Sequence, residues 1–207
     1  LGLLSFIVMY SIDGGKFGYY TKNHILRFGI FFLLFVFISF TKLTYIHRSA
    51  YLFYFIFLIL LIGVEFFGVV SSGSKRWLDL FVTNIQPSEL MKISLIIFLA
   101  RYYHRIPSHE VNSIKFLFLP LFAIMLPAAF IIRQPDLGTA LLIAIGSFSV
   151  IYLAGLRVKY LFYSSFFLLI LAPVVISFLK PYQKLRILTF LNPERDPLGA
   201  GYQIIQS

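Results

Sequence analysis

The chain has 207 residues, of which 59% are hydrophobic and only 13% charged, with a mean hydropathy of +0.88 and a net charge of +10. A soluble domain is closer to half apolar and a quarter charged, and one of this size could not bury so much apolar surface; a water-soluble globular fold is excluded. Cysteine is absent, which removes disulfides, thiol nucleophiles and Cys-type zinc sites. Basic residues scattered singly between apolar runs argue against nucleic acid and leave anionic headgroups or an anionic substrate as partners for the charge.

The first apolar run, residues 1–12, is shorter than the roughly 20 residues a spanning helix needs and reads as half a helix. It opens inside an apolar stretch, as a piece of a longer protein would. A Gly-rich polar turn at Asp13, Gly14, Gly15 and Lys16 follows. Further spans are predicted at about 25–40, 51–70 (with Glu65 inside it), 87–103, 116–132, 137–156 and 160–179. The connection at 71–77 reads as a loop from its Ser and Gly content. Pro87 suits the first turn of a helix, where its missing N–H costs nothing, and Pro120 and Pro127 are expected to bend theirs. From Lys180 the chain is polar. The predicted fold is all-α, a polytopic transmembrane helix bundle. It is expected as a single membrane domain over 1–207 with about seven segments, ending in the start of a large loop at 180–207.

Four polar clusters stand out, and alternating spans put all four on one side of the membrane. Ionisable groups near lipid are costly, so they pair, face a wet cavity or do work. Lys75-Arg76-Trp77 reads either as an interfacial anchor or as a clamp for a phosphate-bearing lipid, with Arg the bidentate donor. Gln86-Pro87-Ser88-Glu89-Leu90-Met91-Lys92 starts a helix; Glu89 and Lys92 share a face at i,i+3 and form either a structural pair or part of a site. In Arg133-Gln134-Pro135-Asp136-Leu137-Gly138-Thr139, Asp136 reads as an N-cap. The fourth, Asn192 to Gln203, is a turn by its Asp-Pro and Gly content. It also carries carboxylates that can act as a general base on a hydroxyl. The four His residues show no metal-ligand spacing. If the first helix runs outward, the inner connections hold 7 of the 18 Lys and Arg, so a raw positive-inside count does not decide the topology.

The stretches Gly73 to Leu80, Gln86 to Lys92, Gln134 to Thr139 and Asp196-Pro197-Leu198-Gly199-Ala200-Gly201-Tyr202 resemble, in order and spacing, the SEDS family of bacterial cell-wall polymerases, and its elongation branch more than its division branch. The resemblance covers essentially the whole chain. It implies a ten-helix protein of which this chain holds about the first seven helices, a piece expected to be inactive by itself. It implies peptidoglycan glycosyltransfer at the outer face of the bacterial inner membrane, with lipid II polymerised during elongation and cell-shape control. Asp196 takes the family's catalytic position, as base on the acceptor hydroxyl. Lys75, Arg76, Trp77, Gln86, Ser88, Glu89, Lys92, Gln134, Asp136, Thr139, Gly199, Gly201, Tyr202 and Gln203 fall in family motifs and are expected to bind substrate or shape its cavity.

The implied partners are lipid II, a class B penicillin-binding transpeptidase and elongation-complex membrane proteins. A divalent cation, Mg or Mn, on the diphosphate is compatible with the chemistry, its ligands unknown. Two rivals stand beside the enzyme. A lipid II flippase would use charges within the membrane, such as Glu65, and a non-catalytic scaffold would only position the transpeptidase.

Overall fold

An apolar run in lipid satisfies its backbone by bonding within the segment, and the computed structural model is accordingly built from helices. It describes residues 2–71, 74–79, 84–134 and 136–160, with 162, 163, 170, 184 and 189 as isolated positions. In chain order the elements are α1 (Gly2–Ile12), α2 (Tyr19–Phe40), α3 (Leu43–Arg48), α4 (Ala50–Phe67), β1 (Val69–Ser71), β2 (Ser74–Asp79), β3 (Asn84–Ile85), α5 (Pro87–Tyr103), α6 (Ile114–Arg133) and α7 (Leu137–Leu153). Helices α2, α4 and α6 are long and apolar enough to cross a membrane, and α1 and α7 are shorter apolar helices. The all-α membrane fold is as predicted. The predicted span at 160–179 and the stretch from 180 lie outside the described residues, apart from the isolated positions.

The chain divides into two compact units, Leu1–Ile46 and His47–Ser207. In the first, α1 turns into α2 through Gly14 and Gly15, both at positive φ, where residues with a Cβ are strained. Asp13 then serves α2 as a cap that Gly18, at the N-cap position, lacks the side chain to supply. Its Oδ2 accepts from the Thr21 backbone N–H at 2.7 Å and from the Thr21 hydroxyl at 2.5 Å. These bonds to the charged form hold the Asp13 carboxyl below the usual carboxylate range. Thr21 is the one buried residue of α2; the rest of that helix presents Phe, Leu and Ile outward, a surface suited to lipid.

In the second unit α4, α5, α6 and α7 share a core of Leu58, Leu61, Met91, Leu95, Phe98, Leu99, Ile124, Ile131 and Ile143. Lipid removes the hydrophobic drive between such helices, leaving close packing and hydrogen bonds to hold them. Two of those bonds are dictated by proline. Pro127 has no N–H for the carbonyl of Ala123, and Pro120 has none for that of Phe116. The Tyr54 hydroxyl of α4 donates to Ala123 O at 2.9 Å, and the Tyr103 hydroxyl of α5 donates to Phe116 O at 3.3 Å. Helix α6 thus runs unbroken from Ile114 to Arg133 with both prolines inside it.

The connection at 71–77 is expected as a loop, but Ser71 and residues 74–77 belong to a small antiparallel sheet between α4 and α5, in the order β1-β2-β3. Val69 pairs with Trp77, Val70 with Lys75 and Ser71 with Ser74, while Leu78 pairs with Ile85 and Asp79 with Asn84. Ser and Gly content favours a loop and does not disclose the strands. The register shifts between Val69 and Val70, leaving Arg76 as the extra residue of a bulge. Bulges re-aim a side chain, and Arg76 is the one re-aimed.

Candidate functional site

Pro87 disfavours helix at the residue before it, so Gln86 is extended (φ −99°, ψ 105°) and stands at the head of α5 between β3 and the first helical turn. Gln134 ends α6 and Asp136 caps α7. These three positions meet the bulged Arg76. Asp136 Oδ2 accepts from Gln86 Nε2 at 3.0 Å and lies 3.7 Å from Arg76 Nη1. Asp136 Oδ1 accepts from the Thr139 backbone N–H at 3.3 Å. Arg76 Nε donates to the Gln134 carbonyl at 3.0 Å. The second hydrogen of the Gln86 amide goes to Ser88 Oγ at 3.0 Å.

The Gln134 side chain, 4% exposed, donates to Leu61 O of α4 at 3.0 Å. Arg76 and Asp136 side chains are 17% and 13% exposed, so solvent screens this pair less than a surface bridge. Three segments far apart in the chain are joined here in one polar node over the ends of α4 to α7.

The remaining predicted residues take different places. Lys75 Nζ donates to Glu65 O at 2.6 Å and Phe66 O at 3.3 Å, closing the last turn of α4 with a cation where the helix dipole favours one. Trp77 is half-buried in β2. Glu89 and Lys92 pair with each other at 2.8 Å, the Glu more exposed than the Lys. Thr139 and Ser88 are buried. Asp196, Gly199, Gly201, Tyr202 and Gln203 lie outside the described residues. Among the described residues no group of three or more His, Cys, Asp or Glu gathers to hold a metal ion.

Glu65, expected inside the span at 51–70, lies in the last turn of α4, a helix long and apolar enough to cross a membrane. Its carboxylate is 3.6 Å from Nη2 of Arg133, the residue that heads the third polar cluster, a contact that the sequence alone does not show.

The family model described as "Cell cycle protein" (FtsW, RodA, SpoVE) matches residues 1–207. The chain belongs to this family. Among its relatives, Escherichia coli peptidoglycan glycosyltransferase MrdB is 39% identical over 155 residues, covering 74% of this chain and 41% of that protein. A probable peptidoglycan glycosyltransferase FtsW of Buchnera aphidicola is 31% identical over 189 residues, 91% of this chain and 53% of the relative. The chain spans about half the length of the curated relatives it matches.

Two solved family structures are similar. A chain of a peptidoglycan synthase complex that coordinates polymerization and crosslinking aligns with a TM-score of 0.82 at 31% identity, over 99% of this chain and 60% of that one. The rod-shape-determining protein RodA of Thermus thermophilus aligns with a TM-score of 0.63 at 28% identity, over 73% of this chain and 50% of that one. Family and apolar helices together make this an integral membrane protein.

Proposed function

We propose that the whole protein is a peptidoglycan glycosyltransferase that polymerises lipid II during cell-wall elongation. The observation that carries this reading is the convergence of three separated motifs on the Asp136 node, in a chain whose relatives are named peptidoglycan glycosyltransferases. The node fixes the heads of α5 and α7 against the tail of α6, a rigid floor of the kind that transfer between two positioned sugars requires. Asp196 is the base: it takes the proton of the acceptor hydroxyl, the oxygen attacks the donor's anomeric carbon, and the lipid diphosphate leaves with the bonding electrons. Cations beside the departing diphosphate offset the charge that develops there.

Charge over residues 47–160 supports the orientation that the family resemblance implies. Along residues 47–160, the node end of α4 to α7 carries Lys75, Arg76, Lys92 and Arg133 against Glu65, Asp79, Glu89 and Asp136. The opposite end carries Arg48, Arg101, Arg105, Lys115, Arg157 and Lys159 against Glu110 alone. An excess of Lys and Arg marks the cytoplasmic side, which supports an outward-facing node in the inner membrane. The position of Glu65 weighs against a flippase, because it lies at a helix end beside Arg133 and not along a path through the bilayer. A class B penicillin-binding transpeptidase is the expected partner, a reading supported by the structural likeness to a chain of a synthase complex.

The test is polymerisation of purified lipid II by the whole protein with its transpeptidase. Wild type should yield glycan strands, and Asp196→Asn should lose about 10³-fold in rate while remaining folded, within the range for a general base. Equal rates would remove Asp196 from the mechanism; no polymer from either protein would remove the enzyme.

A further inference from the structure

Two contacts join the tail of α6 to the tail of α4, one helical turn apart, and they differ in kind. Gln134 is buried and donates to Leu61 O at 3.0 Å. Arg133 meets Glu65, four residues further along α4, at 3.6 Å through a single Nη2···Oε1 approach, with the side chains 69% and 39% exposed. The first is a hydrogen bond that fixes the backbone. The second is longer than a charge-assisted hydrogen bond, which runs to about 2.9 Å, and among the described residues leaves most of the five guanidinium donors unused. Arg133 is therefore held in place by its neighbour while its head stays exchangeable.

Among the described residues 47–160, the other cations of this end are spent on the protein. Lys75 closes α4, Arg76 spans Gln134 O and Asp136, and Lys92 is paired at 2.8 Å with Glu89. Glu65 gives up little on losing Arg133, since its own carbonyl is already served by Lys75 and its carboxylate is partly wet.

We infer that Arg133 is a docking residue for the phosphate of a lipid-linked diphosphate, with Glu65 as the carboxylate that the phosphate displaces. The assignment rests on the glycosyltransferase reading and moves the anion contact from Arg76, which is engaged in the node, to Arg133. A phosphate offers a planar fork two oxygens and more charge than a carboxylate, so exchange favours the ligand. Glu65 keeps Arg133 occupied until a phosphate of sufficient charge arrives, and so discriminates a diphosphate from the single phosphodiester of a bulk phospholipid.

The experiment uses the whole protein in phosphatidylcholine nanodiscs and measures binding of undecaprenyl diphosphate by native mass spectrometry or fluorescence titration. Arg133→Gln should weaken binding about tenfold, the worth of a lost charge-assisted contact. Arg133→Lys should recover part of it, and Glu65→Gln should strengthen it several-fold. In lipid II polymerisation, Arg133→Gln should raise KM with kcat little changed. The opposite signs at the two positions are the decisive readout, because a merely structural pair would lose affinity at both. Weaker binding in both variants, or no change in either, overturns the inference. So does equal competition by phosphatidylglycerol, which would make this an ordinary headgroup contact. If wild type binds the diphosphate through Arg133 but makes no polymer, the docking residue stands and the enzyme reading falls. Polymer from wild type with no effect of Arg133→Gln on binding or KM gives the reverse.

Discussion

The two ends of α4 to α7 are built from similar polar residues on opposite plans. At the node end three of the acids sit beside a cation or amide: Asp136 with Arg76 and Gln86, Glu65 with Arg133, Glu89 with Lys92. At the other end the cations turn to the main chain and to rings. Arg101 donates to the carbonyl of His47 at 3.0 Å and to that of Arg48, and lies 4.4 Å over the Tyr51 ring. Asn112 clamps the α5–α6 connection to the turn after α7, giving its amide to Gly155 O at 3.2 Å and accepting from Arg157 N–H at 2.8 Å. A balanced network specifies geometry, because each member constrains its partner. An unbalanced one leaves net charge to meet headgroups, and so specifies which way the protein sits.

The widest separation between the ends should come from removing one charge at each. Asp136→Ala takes the cap from α7 and leaves Arg76 mostly buried without its carboxylate. We expect a loss of about 3 kcal/mol, below the full cost for a fully buried pair because some solvent reaches both side chains. Arg105→Gln, at the exposed basic end, should stay within about 0.5 kcal/mol. Thermal unfolding of both variants in the same detergent measures the difference. Equal shifts would mean that the node is no more structural than the surface opposite.

A smaller effect tests what joins the ends. Tyr54→Phe strands the Ala123 carbonyl that Pro127 has already deprived of its helical donor, at an expected cost of about 1 kcal/mol. In a Pro127→Ala background the backbone of residue 127 can supply the bond, and the same Tyr54→Phe change should cost much less. A double-mutant cycle reads this as coupling. Additive losses would show that the hydroxyl contributes by packing and not by serving the carbonyl.

Much of this architecture was legible in the residues. Apolar runs gave the helices because lipid permits few alternatives, and the start of α5 at Pro87 and the cap at Asp136 follow from local rules that need no tertiary context. Three polar motifs marked Arg76, Gln86, Ser88, Gln134, Asp136 and Thr139 but not their mutual contacts. The bulge that aims Arg76, the Gln134–Leu61 bond and the tyrosines that answer the prolines depend on which helices become neighbours, and periodicity along one helix does not contain that. Glu65 illustrates the same limit: hydropathy places it within the span that α4 forms, but says nothing of the Arg133 beside it.

The subtlest difference between the ends is a response to pH, carried by His47. It lies on α3, a six-residue helix outside the spanning segments, half-buried, with its ring 4.9 Å from that of His104 and its Nε2 without a hydrogen-bond partner. Desolvation, followed by the positive charges of His104, Arg101 and Arg105, holds its pKa below the ordinary value of 6.5. Between that value and the lower folded one, the unfolded chain binds the proton more readily. Stability is therefore complete above about pH 6.5 and declines as pH falls through the interval. Unfolding midpoints of the wild type followed from pH 8 to pH 5 should show this decline, and His47→Gln, which cannot be protonated, should flatten it. An acid-side decline that survives unchanged in His47→Gln would assign it to other groups and remove His47 from the response.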